Sequence, residues 1–376
     1  MSTLANPRLG EGRAVEEYPH APNVGPVGRL SRYMATHLRA VLVGWLIVAV
    51  ALGFFAPRVE TALSGAGWET SGSQSVQARN LINKDFHGLS SYGLMVVLHS
   101  ESSTVASPVF ARTVGQVEGL LKASPAVGAV VAPAPGVSIS RDGRTAIVEA
   151  GAARSANGMV RAADALKGRL AALSTRAVQV RLTGASGMWS DFNAANRTAM
   201  MRSEVISWPV TLGILLLAFG SLVAAGLPLM LTLIGLAAAA GLLYLGTLVM
   251  PISIWAMNFA LMFALALGID YALFVVHRFR GALFGHELNA VDATAVTMDT
   301  AGKAVLFSGV TVLISLSAVM LVPSPAFRSM SLGIMLAVIF VLAATLTLLP
   351  AVLAKLGPRV DKLALPWAHS GEHRSA

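Results

Sequence analysis

The sequence contains no cysteine. That excludes a disulfide frame, a thiolate metal site and a cysteine nucleophile. It is also poor in charge. Of 376 residues, 12% are Asp, Glu, Lys or Arg, against about 25% in an average soluble domain. The eight histidines form no HxH or HExxH pair, so no metal centre is expected. Gly65-Ala66-Gly67 lacks the third glycine of a dinucleotide fingerprint, and no strand precedes it. Gly184-Ala185-Ser186-Gly187 lacks the spacing of a G-x-S-x-G nucleophile elbow. No catalytic residue is assigned, and the chain is not read as an enzyme.

What is present is apolar. Hydrophobic residues make up 55% of the chain, and the mean hydropathy is +0.67. Both values indicate an integral membrane protein. The net charge is +9. Lys and Arg sit beside apolar runs or in one polar segment, so they read as topology signals and not as a nucleic-acid surface.

Residues 1–37 are polar and rich in Pro, Gly and Arg, and read as a disordered cytoplasmic tail. Arg29, Arg32 and Arg39 precede the apolar run Val41 to Pro57. A cleaved signal peptide would need a shorter basic region and an A-x-A site. The run is therefore read as an uncleaved first transmembrane helix over 38–57, with its N-terminus inside.

Residues 58–202 hold fifteen of the 28 Lys and Arg and no run long enough to span. Their pattern predicts an α+β domain. A helix is expected over 73–86. The order that follows is strand 92–99, helix 108–123, strands 127–132 and 145–150, helix 157–173 and strand 178–182. Val160, Ala163, Leu166 and Leu170 mark one face of the second of these helices. The order β-α-β-β-α-β is that of a ferredoxin-like unit. Gly136 and Asp142-Gly143 supply turns between the middle strands.

Five further transmembrane helices are expected, at 204–222, 227–249, 252–276, 303–322 and 329–353. Breaks are read at Gly220-Ser221, at Gly226 and Pro228, at Pro251, at Pro323 and Pro325, and at Pro358. Arg278, Arg280, Lys303, Lys355, Arg359, Lys362 and Arg374 fall on one side, and the short loops of the opposite side hold only Arg328. That bias puts both termini in the cytoplasm and residues 58–202 outside, in a plasma (inner) membrane. Residues 281–302 read as a weakly amphipathic helix along the cytoplasmic surface, with Ala290, Ala293, Ala295 and Met298 alternating with Asp292, Thr294 and Asp299. A tail over 355–376 ends the chain.

One residue does not suit its surroundings. Asp270 lies in the apolar run Ala256 to Phe279. A carboxylate inside a spanning helix costs roughly 2.5–3.5 kcal/mol on insertion scales. Asp270 is seven residues from His277, the first residue of the basic stop His277-Arg278-Phe279-Arg280, or about 10 Å along a helix. A nearby Arg or the interface would explain it blandly, and proton or ion carriage would explain it functionally.

Ala256, Ala260, Ala264, Gly268 and Ala272 recur every fourth residue and form a stripe for close helix packing. Asp270 is about 200° from Gly268 around the helix, on the opposite face. A helix so packed is buried, and Asp270 is expected to find an internal partner. Ser308, Thr311 and Ser315 share a face of the next helix. They either bond to their own backbone or form a polar track beside Asp270. Tyr271 reads equally as an interfacial aromatic or as a phenol in that track.

Several elements resemble those of the MMPL family (mycobacterial-type large membrane proteins) of the resistance-nodulation-division superfamily. They are Phe219-Gly220-Ser221-Leu222, Leu227-Pro228-Leu229, Gly268-Ile269-Asp270-Tyr271 with Arg278-Phe279-Arg280, Ala301-Gly302-Lys303-Ala304-Val305-Leu306-Phe307-Ser308, and Leu348-Leu349-Pro350-Ala351. The resemblance runs from about residue 30 to 360, with Lys303 where the family more often carries Arg. It matches one half of such a protein, the N-terminal one.

The resemblance implies that Asp270 and Tyr271 relay protons, with Ser308 as a neighbour. It implies an outer porter subdomain and a proton gradient as energy source, with no cofactor. It also implies a second six-helix half, in a homodimer or a companion chain, with intramembrane charges at the contact. The expected function is proton-driven export of lipids or other hydrophobic envelope molecules. The alternatives are a non-transporting membrane partner (a translocase accessory subunit or a lipid sensor) and an inactive truncated half.

Overall fold

A computed structural model describes residues 23–65, 67–286 and 288–363. Helix α1, Pro26–Thr36, starts on a proline, where a missing N–H costs nothing. A sharp turn at His37 leads into α2, Leu38–Gly53. A short helix α3, Ala56–Ala62, follows, with Pro57 in its first turn. The apolar stretch thus runs on past the expected end at 57, because a proline in a first turn does not stop a helix.

Next comes α4, Gln74–Asp85, and then the α+β unit. Its elements are β1 Leu94–His99, α5 Pro108–Lys122, β2 Val127–Val131, β3 Thr145–Ala152, α6 Ala156–Ala171 and β4 Gln179–Thr183. The strands form one sheet in the order β2-β3-β1-β4. Every neighbouring pair is antiparallel, with Val96 opposite Val148 and Leu182. Alternate residues of β1, Leu94, Val96 and Leu98, are fully buried. They pack with Val148 of β3, Phe110 and Leu121 of α5, and Met159 and Leu170 of α6. Ser107 and Ser155 cap the two helices by accepting backbone N–H bonds.

From β4 the chain enters α7, Ala185–Phe219, one helix of 35 residues. The expected start at 204 is corrected. Residues 185–203 are polar, yet they continue the same helix, which is about 50 Å long. Gly220, at φ 65, ends α7, and Ser221 caps α8, Leu222–Thr247. That junction makes the turn alone. The breaks expected at Gly226 and Pro228 do not occur, since both lie inside α8. Helices α9 Trp255–Arg280, α10 Ala290–Thr297, α11 Lys303–Val319 and α12 Pro325–Leu356 complete the fold.

Among the described residues, six helical stretches are long and apolar enough to cross a membrane. Helices α8, α9 and α12 form the centre, whereas α2 has no buried residue. The sheet unit sits beyond one end of the bundle and α10 lies at the other. We call these the domain end and the α10 end.

Two expectations fail at the α10 end. Residues 26–36 are not a disordered tail but a docked helix, while residues 1–22 lie outside the described residues. Gly28 and Ser31, one turn apart, let α1 approach the 290–299 backbone. A Cβ on Gly28 would stand 2.8 Å from the Ala295 carbonyl oxygen. Arg32 pairs with Asp292 at 2.8 Å, and the Gly25 N–H donates to Asp299 at 2.9 Å. Nor does 281–302 lie open along a surface. Two π-helical turns, Gly281–Gly285 and Met298–Gly302, flank α10. Thr294, read as part of its polar side, is fully buried, as is Thr297; the Thr294 carbonyl accepts from Ser31 of α1.

The closest helix contacts in the bundle run through glycine. A Cβ on Gly333 of α12 would land on the Ala256 carbonyl of α9, whereas Gly213 of α7 has nothing within 4 Å. Gly333→Val therefore forces α9 and α12 apart. It is expected to cost about 1–3 kcal/mol and to lower the melting temperature of the detergent-solubilised protein. Gly213→Val is expected to leave it unchanged. Equal melting of the two variants would refute the close seam.

Candidate functional site

The stripe on α9 faces inward. Ala256, Ala260, Ala264 and Ala272 are fully buried, and Gly268 is buried too. A Cβ on Gly268 would collide with the Thr232 hydroxyl of α8 and meet Val341 of α12 at 3.6 Å. Thr232 donates to the Pro228 carbonyl at 2.9 Å, inside its own helix. The α8–α9–α12 seam is therefore built from small residues and self-satisfied hydroxyls.

Helix geometry then fixes Asp270 on the other side. It is exposed, in a line with exposed Met262, Ala266 and Phe274, each four residues apart. Among the described residues none hydrogen-bonds or ion-pairs with Asp270. The expected internal partner is thus corrected. The small face turns into the seam, so the carboxyl must point away from it.

Tyr271 is next in sequence but 6% exposed, within the core of the bundle. It is not at an interface, so the interfacial-aromatic reading falls. Its hydroxyl lies 3.4 Å from the Ser308 hydroxyl of α11. Thr311 and Ser315 do not join this pair. Thr311 donates to the Phe307 carbonyl at 2.8 Å and Ser315 to the Thr311 carbonyl at 2.9 Å. Of the two readings for these hydroxyls, own-backbone bonding holds for both. All three α11 residues are exposed, on a helix that packs chiefly against α12.

The arrangement is an unpaired carboxyl on an open apolar face, one residue from a buried phenol that meets an exposed hydroxyl. In hydrocarbon such a carboxyl costs a few kcal/mol. Chemically it can hold or release a proton. Among the described residues, no three His, Asp or Glu side chains gather as a metal site.

Two clusters were invisible to sequence reasoning. At the α10 end, Arg280 donates to the Phe219 carbonyl at 2.7 Å and forms an ion pair with Asp361. Ser221 donates to the carbonyls of Val360 and Lys362 at 2.8 and 2.9 Å. At the domain end, Glu69 accepts from Arg79 at 2.5 Å and from the Tyr92 hydroxyl at 3.2 Å. The Arg79 guanidinium lies over the Tyr92 ring, 4.7 Å from its centre. The bond to Glu69 holds the Arg79 cation more firmly protonated. Burial, reinforced by the Glu69 charge, pushes the Tyr92 phenol up. These partners are ten or more residues apart and share no periodic pattern.

Known proteins bear on this site. The profile described as MMPL family matches residues 67–373. The probable transport protein MmpL11 of Mycobacterium leprae (strain TN) is 30% identical over 359 residues, which is 92% of this chain and 34% of that protein. The mycolic acid-containing lipids exporter MmpL11 of Mycolicibacterium smegmatis (strain ATCC 700084 / mc(2)155) is 29% identical over 353 residues, 92% of this chain and 37% of that protein. The heme uptake protein MmpL11 of Mycobacterium tuberculosis (strain ATCC 25618 / H37Rv) is 28% identical over 337 residues, 87% of this chain and 34% of that protein. The chain thus spans about a third of the length of these curated relatives. With its profile match over most of its length, an Asp-Tyr pair on α9 and a six-span bundle, the chain belongs to the MMPL family.

Proposed function

We propose that the chain is one half of a proton-driven transporter that exports lipids or other hydrophobic molecules. The observation that carries this reading is Asp270, unpaired and exposed on an apolar face beside Tyr271 and Ser308. A permanently charged carboxylate has no stable place in hydrocarbon. Desolvation favours its neutral form, and an aqueous path from either side would favour its charged form. Cycling between the two is proton carriage. Tyr271 and Ser308 act as the adjoining relay, and the seam holds them in register. The relatives' names include a lipid exporter and a heme uptake protein, so the common chemistry is a hydrophobic cargo.

The α10 end is the cytoplasmic side in this reading. Arg29, Arg39, Arg278, Lys355 and Arg359 cluster there, and Arg328 lies near the domain end. The sheet unit then stands outside as a porter subdomain. Its strand order β2-β3-β1-β4, with two helices packed into the core, supports a ferredoxin-like reading. The carboxyl face needs cover, and a second six-helix bundle supplies it. That bundle is a further stretch of the same polypeptide, a second copy or a companion chain. Alternating access also needs one bundle to move against another.

Asp270→Asn keeps the shape and removes the titration. It is expected to abolish efflux from vesicles under an imposed pH gradient, with expression unchanged. Full activity of the variant would sink the relay. Orientation has its own check, clean because native cysteine is absent. Ser103→Cys in β1–α5 is expected to react with an impermeant maleimide in intact cells, and labelling only after lysis would reverse the topology. Pairing is read by mass in nanodiscs. The expected active particle holds two six-helix halves. Proton-coupled efflux from vesicles holding a single half each would contradict it.

A further inference from the structure

Among the described residues, the Tyr271–Ser308 contact is the one hydrogen bond between α9 and α11. At 3.4 Å it is long, against about 2.7–2.8 Å for a typical pair of hydroxyls. A small displacement of α11 is enough to make or break it.

Helix α11 is loosely held along most of its length. Of its 17 residues, only Val305 and Gly309 are buried, both in the first two turns. Farther along, Ser331 of α12 donates to the Leu316 carbonyl at 2.6 Å. The place of Ser308 is therefore decided near the start of the helix.

That start is gripped from outside. The π-helical turn Met298–Gly302 runs straight into α11. Its Asp299 carboxylate pairs with Lys303 at 2.8 Å and accepts the Gly25 N–H at 2.9 Å. About 13 Å of helix separates Asp299 from Ser308. Helix α1 reaches the turn because it presents no side chain there. A Cβ on Gly25 would stand 2.7 Å from the Asp299 carboxylate, and one on Gly28 would stand 3.0 Å from the Asp299 Cβ.

Two further contacts fix α1 itself. Arg32 pairs with Asp292 of α10 at 2.8 Å, and Val27 packs against the bundle core. The helix also lies along α12, which packs on α9 and α11 alike. It thus ties the turn ahead of α11 to the common neighbour of both relay helices. A partly exposed ion pair contributes little alone, so the close approach at the two glycines carries most of the docking.

We propose that α1 is a positioning clamp: by gripping Asp299 and Asp292 it fixes the turn that leads into α11, and so keeps Ser308 against Tyr271. Gly25, Gly28 and Arg32 are positioning residues that act on Tyr271 through α11. The service of the clamp to proton carriage rests on the transport reading above; the clamp itself does not.

The test reads the Tyr271 phenol directly. The chain has five tyrosines, so the full chain labelled with meta-fluorotyrosine gives a fluorine NMR spectrum simple enough to assign in detergent. Tyr271→Phe identifies the Tyr271 resonance, and Ser308→Ala gives its position without the contact. Gly28→Val is expected to move the resonance toward the Ser308→Ala position, and Arg32→Asp to move it the same way by less. Adding Asp292→Arg to Arg32→Asp is expected to return it, a rescue that general loosening of the fold would not give. Tyr92, before β1, and Tyr244, near the domain end of α8, are expected to keep their positions throughout. A Tyr271 resonance unmoved by Gly28→Val overturns the clamp. So does one unmoved by Ser308→Ala, or a shift of Tyr92 and Tyr244 along with it. The spectrum decides the clamp whether or not the chain carries protons, whereas Asp270→Asn decides proton carriage by efflux. Where Asp270→Asn abolishes efflux, Gly28→Val is expected to slow it about fivefold; efflux at the native rate would overturn the service of the clamp to the relay.

Discussion

The structure depends on how closely α9 can approach α8 and α12. In a lipid environment, burying leucine against leucine gains little, because the tails are equally apolar. Association must come from dispersion contacts at short range. Those require small residues, and α9 supplies them at every fourth position from Ala256 to Ala272. Its neighbours reciprocate. Gly235 of α8 lies against Val341 of α12, and Gly333 of α12 lies against the Ala256 backbone. Gly241 of α8 gives the same access to the Leu52 backbone at the end of α2. The bundle is a three-helix seam with other helices leaning on it.

The exposed side of α9 follows from the seam. A residue two places from a seam glycine is turned about 200° from it. Met262, Ala266, Asp270 and Phe274 must therefore face outward once the alanines face in. For Met262 and Phe274 that costs nothing, since lipid suits them as well as protein does. The same holds for Leu46, Ile47 and Val50 on α2 and for Ile214 and Leu217 on α7, all exposed. Asp270 alone on this line is mismatched to an apolar surrounding. Exposed leucines along a membrane bundle call for no partner; an exposed carboxyl does.

Much of this was legible. The β-α-β-β-α-β order was read directly from the runs, and the four-residue period of α9 placed the seam and set the carboxyl on the opposite face. Most of what failed involves a contact between residues far apart in sequence. Helix α1 is polar and looks unstructured by itself. It is ordered by Arg32–Asp292 and Gly25–Asp299, partners more than 250 positions away. The early start of α7 was hidden because polar residues 185–203 face the α+β unit, where Ser190 bonds Asp164 and Lys167 pairs with Asp191. Pro228 looked like a break because a proline signals one; the αL residue Gly220 and the cap Ser221 had already made the turn. The Tyr271–Ser308 contact was reachable from sequence only as one of two readings. Burial of Tyr271 selects between them.

The seam also reaches the α+β unit through the backbone. Ser64, just after α3, donates to the Ile252 carbonyl at 2.7 Å and accepts from the Ile254 N–H at 2.9 Å. Ser71 donates to the Pro323 carbonyl at 2.9 Å, and the Ala326 N–H donates to Gly67 at 3.1 Å. These four bonds join the segment before α4 to the N-terminal ends of α9 and α12, the two helices packed most closely. Helix α7 is the other connection, continuous from β4 into the bundle. A tilt of α9 therefore carries Ser64 with it, and a tilt of α12 carries Gly67 and Ser71. The connection is rigid because backbone bonds, unlike exposed ion pairs, give up their partners only by breaking the local fold. Under the proposed reading, a proton-dependent shift at Asp270 would travel along α9 to Ile254, about 24 Å away, and arrive at its bond to Ser64. In the proposed relay, the seam that turns the carboxyl outward is thus also the element through which its charge state would reach the α+β unit.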